Sequence, residues 1–93
     1  VWLGGRDETL RDAVGDALRA AGFGAALNTA LPGVHPSNIC NRTRSGAGVQ
    51  LELPRSLRRN LAEDGRMMAR FSTALRAVIS TAGLDGDAAT RRA

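Results

Sequence analysis

At 93 residues and 9.8 kDa, with 43% apolar residues but only Trp2, Phe23 and Phe71 aromatic, the chain has room for one small domain with a thin core. Its thirteen basic residues are all Arg and face nine acids; the formal +4 and pI near 11.3 either steer anionic partners to the surface or reflect no more than an Arg-rich composition. A single Cys and a single His exclude an internal disulfide and a self-contained zinc centre, and these residues hold neither an eighteen-residue apolar run nor a charged, apolar, small-residue leader.

"VWL" opens the chain with a strand-like pattern and no initiator Met, so the sequence reads as the tail of something longer. Gly4-Gly5 ends that strand, and Asp7 is a plausible N-cap with Glu8 in the first turn, where a negative charge suits the helix dipole. Leu10, Val14, Leu18 and Ala21 recur at helical spacing before Gly22, which predicts a helix over 8–21. Phe23, Ala25 and Leu27 then alternate with Gly24, Ala26 and Asn28 as a second short strand. Strand, helix, strand in this order predicts a parallel pair in an α/β sheet, since parallel neighbours need a crossover connection.

Residues 29–48 carry Pro32, Gly33, Pro36, Gly46 and Gly48 among many polar residues and show no apolar period. A loop of this length is usually functional or disordered. Val49, Leu51 and Leu53 define one face of a third strand, Gln50 and Glu52 the other, and Pro54 stops the ladder. "RSLRRNLAEDG" reads as a basic connector with possible helical turns. Met68, Phe71, Leu75, Val78, Ile79 and Ala82 then make the strongest amphipathic pattern, capped near Asp64 and ended at Gly83. Residues 84–93 are a polar tail without a core face, expected to be disordered.

Glu52 is the one candidate acid of the middle of the chain. An unpaired ionised carboxylate in an apolar interior costs several kcal/mol, so a strand Glu between leucines is exposed, paired or protonated. The plainest explanation is that Gln50 and Glu52 share the solvent face of an antiparallel edge strand. Against it stands the charge pattern: between residues 17 and 62 Glu52 is alone among Arg19, Arg42, Arg44, Arg55, Arg58 and Arg59, a window of +5. A carboxylate fixed at a strand end beside an Arg-bearing loop is how a base for an anionic substrate would be built. Arg55, Arg58 and Arg59 read first as a solvated connector. His35 and Cys40 lack a third orienting group for thiol chemistry, so Cys40 reads as packed. "SGAG" lacks the spacing of a phosphate-binding loop, and Asn38 and Asn41 read as loop ties through side-chain to backbone bonds.

Three blocks in order resemble the poly-γ-glutamate hydrolases of phages and bacteria, whose bacterial members are often labelled phage-related replication proteins. "VWLGGRDETLRDAVGDALRAAGF" resembles that family's strand, Gly-Gly-x-Asp turn and helix; "HPSNICNRTRSGAGVQLEL" resembles its Asn-Ile-x-Asn-Arg loop and Gly-Val-Gln-Leu-Glu strand; "PRSLRR" resembles the segment after it. The resemblance implies a zinc-carboxypeptidase-like mixed sheet flanked by helices, with residues 1–83 its C-terminal part. It implies zinc-dependent cleavage of γ-amide links, with Glu52 as general base on a metal-held water and Asn41, Arg42 and Arg44 as contacts to substrate carboxylates. The family's His and Glu zinc ligands lie upstream of the segment that opens this chain, so none is assigned here and the 93 residues alone are expected to be inactive. An anionic polymer is the expected partner; a small basic module binding polyanions or nucleic acid is the alternative, resting on charge without the interleaved aromatics of a nucleic-acid reader.

Overall fold

The computed structural model describes residues 1–81. Trp2–Gly4 forms a short strand, β1, with a partner on each edge, giving a three-stranded sheet in the order β2-β1-β3. On one side β2, Ala26–Leu27, runs parallel, with Trp2 opposite Ala26 and Leu3 opposite Leu27. On the other, β3, Gln50–Glu52, runs antiparallel, with Trp2 opposite Glu52, Leu3 opposite Leu51 and Gly4 opposite Gln50. The sheet is thus mixed, as the resemblance implied, and its parallel pair is the one the chain order predicted. Because directly opposed residues share a face, Leu3 and Leu51 lie on one side and Trp2, Gln50 and Glu52 on the other.

The crossover from β1 to β2 is α1, Glu8–Ala20. Asp7 caps its start by accepting the Leu10 N–H at 3.0 Å. At its end Gly22, at φ +93°, lets Phe23 N–H reach the Leu18 carbonyl at 2.9 Å while its own N–H reaches Arg19 at 3.0 Å, satisfying carbonyls the helix leaves open. Phe23 is consequently pulled out of the strand the alternation predicted and into the core. There its ring meets Phe71 edge-on at 5.3 Å, with the Arg70 guanidinium 5.4 Å from its centroid.

The basic connector is a helix over most of its length. In α2, Arg55–Glu63, Leu57 and Leu61 sit four residues apart on one face, and Leu61 is buried against the core. Pro54 enters it at φ −57°, which suits a helix start, and the Arg residues occupy the solvent side. Asp64 closes α2 and caps α3, Gly65–Ile79, accepting the N–H groups of Arg66 and Met67 at 3.0 and 3.1 Å.

The face α3 turns inward is rotated from the predicted stripe. Phe71 and Val78 are buried and Met67, Ala74 and Leu75 pack beside them, whereas Met68 and Ile79 lie on the flanks, 42% and 40% exposed. Met67 stands one helical turn before Phe71 on the same face, and Met68 falls about 100° around from it. Leu3, Val14, Leu18, Phe23, Leu61, Phe71 and Val78 form the core, with Leu18 fully buried. Helices therefore cover the Leu3 side of the sheet, and the Glu52 side is left to the long loop. Among the described residues no helix is long and apolar enough to cross a membrane. The expected helix end at Ala82 and Gly83 and the expected tail over 84–93 lie outside the described residues.

Candidate active site

Residues 29–48 contain little regular structure beyond a 3-10 turn at Ile39–Asn41, yet the loop is tied down. Three consecutive backbone donors of the β1–α1 turn hold it: Gly5 N–H to the Pro32 carbonyl at 2.8 Å, Arg6 N–H to Asn41 Oδ1 at 3.1 Å, and Asp7 N–H to the Gly48 carbonyl at 3.0 Å. Gly5, at φ +106°, and Gly48 let the two backbones meet. A Cβ at Gly5 would collide with the Gly48 carbonyl, and one at Gly48 with the Cys40 carbonyl.

Asn41 is the centre of this arrangement. Only 2% exposed, it receives Arg6 N–H and Gly48 N–H (3.2 Å) on Oδ1 and donates from Nδ2 to the carbonyls of Gly33 at 2.7 Å and His35 at 2.9 Å. Two acceptor and two donor positions are all that an Asn side chain owns. In this structure all four are used in holding the loop, which is the tie its chemistry allowed, and the substrate contact that the resemblance implies for Asn41 would have to replace one of these bonds.

The tied loop leaves an open cleft of about 420 Å³ against the edge of the sheet. Leu31, Pro32, Gly33 and Val34 supply its apolar wall, and His35, Asn38, Gln50 and Glu52 its polar groups. Glu52, half-buried at the end of β3, takes the Gln50 Nε2–H on Oε1 at 3.2 Å. The edge-strand explanation for its position holds as geometry: β3 is antiparallel and outermost among the described strands. That edge is also the wall of a cleft, so the two readings of Glu52 describe one place.

Arg42 and Arg44 follow the 3-10 turn on the outside of the loop, both exposed, and neither lines the cleft. Among the described residues the ion pairs are Arg11 with Asp12 and Arg19 with Asp16, so Glu52 is not paired with any arginine of its window. His35 accepts the Ser37 N–H on Nδ1 at 3.0 Å. A backbone N–H can only donate, so the neutral ring carries its proton on Nε2 and presents a donor rather than a lone pair there. Cys40 is half-buried, its thiol 3.7 Å from the Gly33 carbonyl, in keeping with a packed cysteine.

The zinc implied by resemblance finds no ligand set here. Among the described residues no three His, Cys, Asp or Glu side chains gather, whereas a catalytic zinc takes three protein ligands. Sequence reasoning passed over Gln50 as a polar neighbour and Asn38 as a simple tie. The two-residue period of β3 was the available signal, since it puts Gln50 beside Glu52 on one face.

A family model described as poly-gamma-glutamate hydrolase matches residues 1–81. Comparison with curated proteins and with solved structures finds no match.

Proposed function

Because this chain belongs to the poly-gamma-glutamate hydrolase family, we propose that it carries the general base and part of the polymer-facing surface of an enzyme cleaving γ-glutamyl amide bonds of poly-γ-glutamate. The observation that carries the reading is Glu52, a carboxylate with one oxygen held by Gln50, lining an open cleft at a strand end. A strand end fixes the position of such a group better than a loop does.

In this mechanism Glu52 takes a proton from a water whose oxygen attacks the γ-amide carbonyl, and a tetrahedral intermediate forms. The same carboxylic acid then gives that proton to the departing amine as the C–N bond breaks, which returns Glu52 to its ionised form. His35 Nε2–H and the exposed Arg42 and Arg44 are candidates to meet carboxylates of the polymer, the arginines outside the cleft where neighbouring units would run. Zinc dependence belongs to the proposal too, with its ligands drawn from outside residues 1–81; the described residues by themselves would not turn the polymer over.

The test is to incubate the full-length protein carrying this chain, with and without zinc, with γ-linked and α-linked polyglutamate of equal length. Size exclusion and amine release are the readouts. Shortening of the γ-linked polymer alone is expected. Equal attack on both polymers, or none on either, would overturn the proposal. Salt-sensitive retention of DNA without cleavage would favour the polyanion-binding alternative instead.

A further inference from the structure

Asn38 Oδ1 accepts the Cys40 backbone N–H at 3.1 Å. That donor cannot reverse its role, so the Asn38 amide has one orientation and its Nδ2–H₂ faces Gln50. Gln50 must then turn Oε1 toward Asn38, and the contact is present at 3.3 Å. What remains to face Glu52 is Gln50 Nε2, which donates to Oε1 at 3.2 Å. Turning either amide over would set donor against donor or oxygen against oxygen. The direction of the whole series is thus set by one backbone group in the loop and ends on the carboxylate.

Gly33 completes the arrangement. It sits at φ +66°, and a Cβ there would come within 3.2 Å of Gln50 Oε1 and 3.3 Å of Cδ and Nε2, so the glycine leaves room for the flat amide. Asn38 and Gln50 share the cleft wall with Glu52.

We propose that Asn38 and Gln50 are positioning residues, an amide relay of fixed polarity that holds one oxygen of Glu52 and keeps the lone pairs of the other for the proton of the attacking water. The inference rests on the reading of Glu52 as the base. A donor held on one carboxylate oxygen fixes the plane of the group, which a base needs before the reaction.

Asn38 substitutions separate this role from a merely structural one, because activity and stability rank in opposite orders. Asn38→Ala removes the acceptor for Cys40 N–H and loosens the turn, yet leaves Gln50 free to keep donating to Glu52. Asn38→Asp keeps that acceptor but offers Gln50 an oxygen; Gln50 then turns over and sets Oε1 against Glu52. The expected kcat on γ-linked polyglutamate falls on the order of tenfold to a hundredfold in Asn38→Asp and only about twofold to threefold in Asn38→Ala, with KM little changed. Thermal unfolding should rank them the other way, with Asn38→Ala the less stable. In the Gln50→Leu background the Asn38→Asp loss should vanish, since there is no amide left to turn. Equal or reversed kcat ranking, or additive losses in the double variant, would overturn the relay. Glu52→Gln, measured alongside, distinguishes the two levels: if it retains turnover, the base assignment fails and the relay's role fails with it, whereas its loss together with a reversed Asn38 ranking removes the relay alone.

Discussion

Replacing Asn41 by Ala tests whether the loop that forms the cleft is held as described. The side chain makes four hydrogen bonds while 2% exposed. Leaving the buried Gly48 N–H without a partner costs about 1–3 kcal/mol, and losing the three partly buried bonds about 0.5–1.5 kcal/mol each. Their sum, roughly 2.5–7.5 kcal/mol, is a large share of the 5–15 kcal/mol that holds a typical domain together. Urea unfolding followed by circular dichroism should therefore show a strongly lowered midpoint. Amide exchange at Arg6 and Gly48 should speed up even under native conditions. Asn41→Asp is a sharper probe: it keeps both acceptor bonds but turns an oxygen toward the carbonyls of Gly33 and His35, so it should be no more stable than Asn41→Ala. A stability loss below about 1 kcal/mol in Asn41→Ala, combined with lost polymer binding, would refute the reasoning and return Asn41 to the substrate.

Three further outcomes are expected. Gly48→Ala places a Cβ against the Cys40 carbonyl, and its amide exchange pattern should show the 29–48 loop detached from the β1–α1 turn while α1 and α3 stay protected. Asp64→Ala removes the side-chain acceptor for two N–H groups at the start of α3 and should cost about 1 kcal/mol in chemical unfolding. Neutralising Arg55, Arg58 and Arg59 together should leave the unfolding midpoint nearly unchanged, because all three are exposed, yet weaken association with poly-γ-glutamate and flatten its salt dependence.

Much of the fold is legible where a residue has one good place to go. Asp7 and Asp64 can serve as caps only just before a helix, and Gly22 just after one, and all three stand there. The parallel pairing of β1 with β2 follows from the crossover between them. Face assignments were less legible when two residues of similar apolarity compete: Met67 and Met68 differ only by the rotation of α3 against Phe23, which no local pattern encodes. The helix α2 hid behind its charge, since Arg55, Arg58 and Arg59 dominate a segment whose inward face is just Leu57 and Leu61. At the site, the charge pattern singled out Glu52 and the resemblance gave it a role, but the bonds of Asn41 and the sequence of bonds from Cys40 N–H through Asn38 and Gln50 depend on how a twenty-residue loop folds back on the sheet. Spacing along the chain cannot report that.

The most direct measurement of the central claim is turnover of γ-linked polyglutamate by the full-length protein bearing Glu52→Gln, with circular dichroism and zinc content measured on the same sample. Turnover at least about a hundredfold below the unaltered protein, with fold and metal content unchanged, is the predicted result. Turnover within about threefold of the unaltered protein would show that the proton is taken elsewhere and that the cleft at the end of β3 is not the active site.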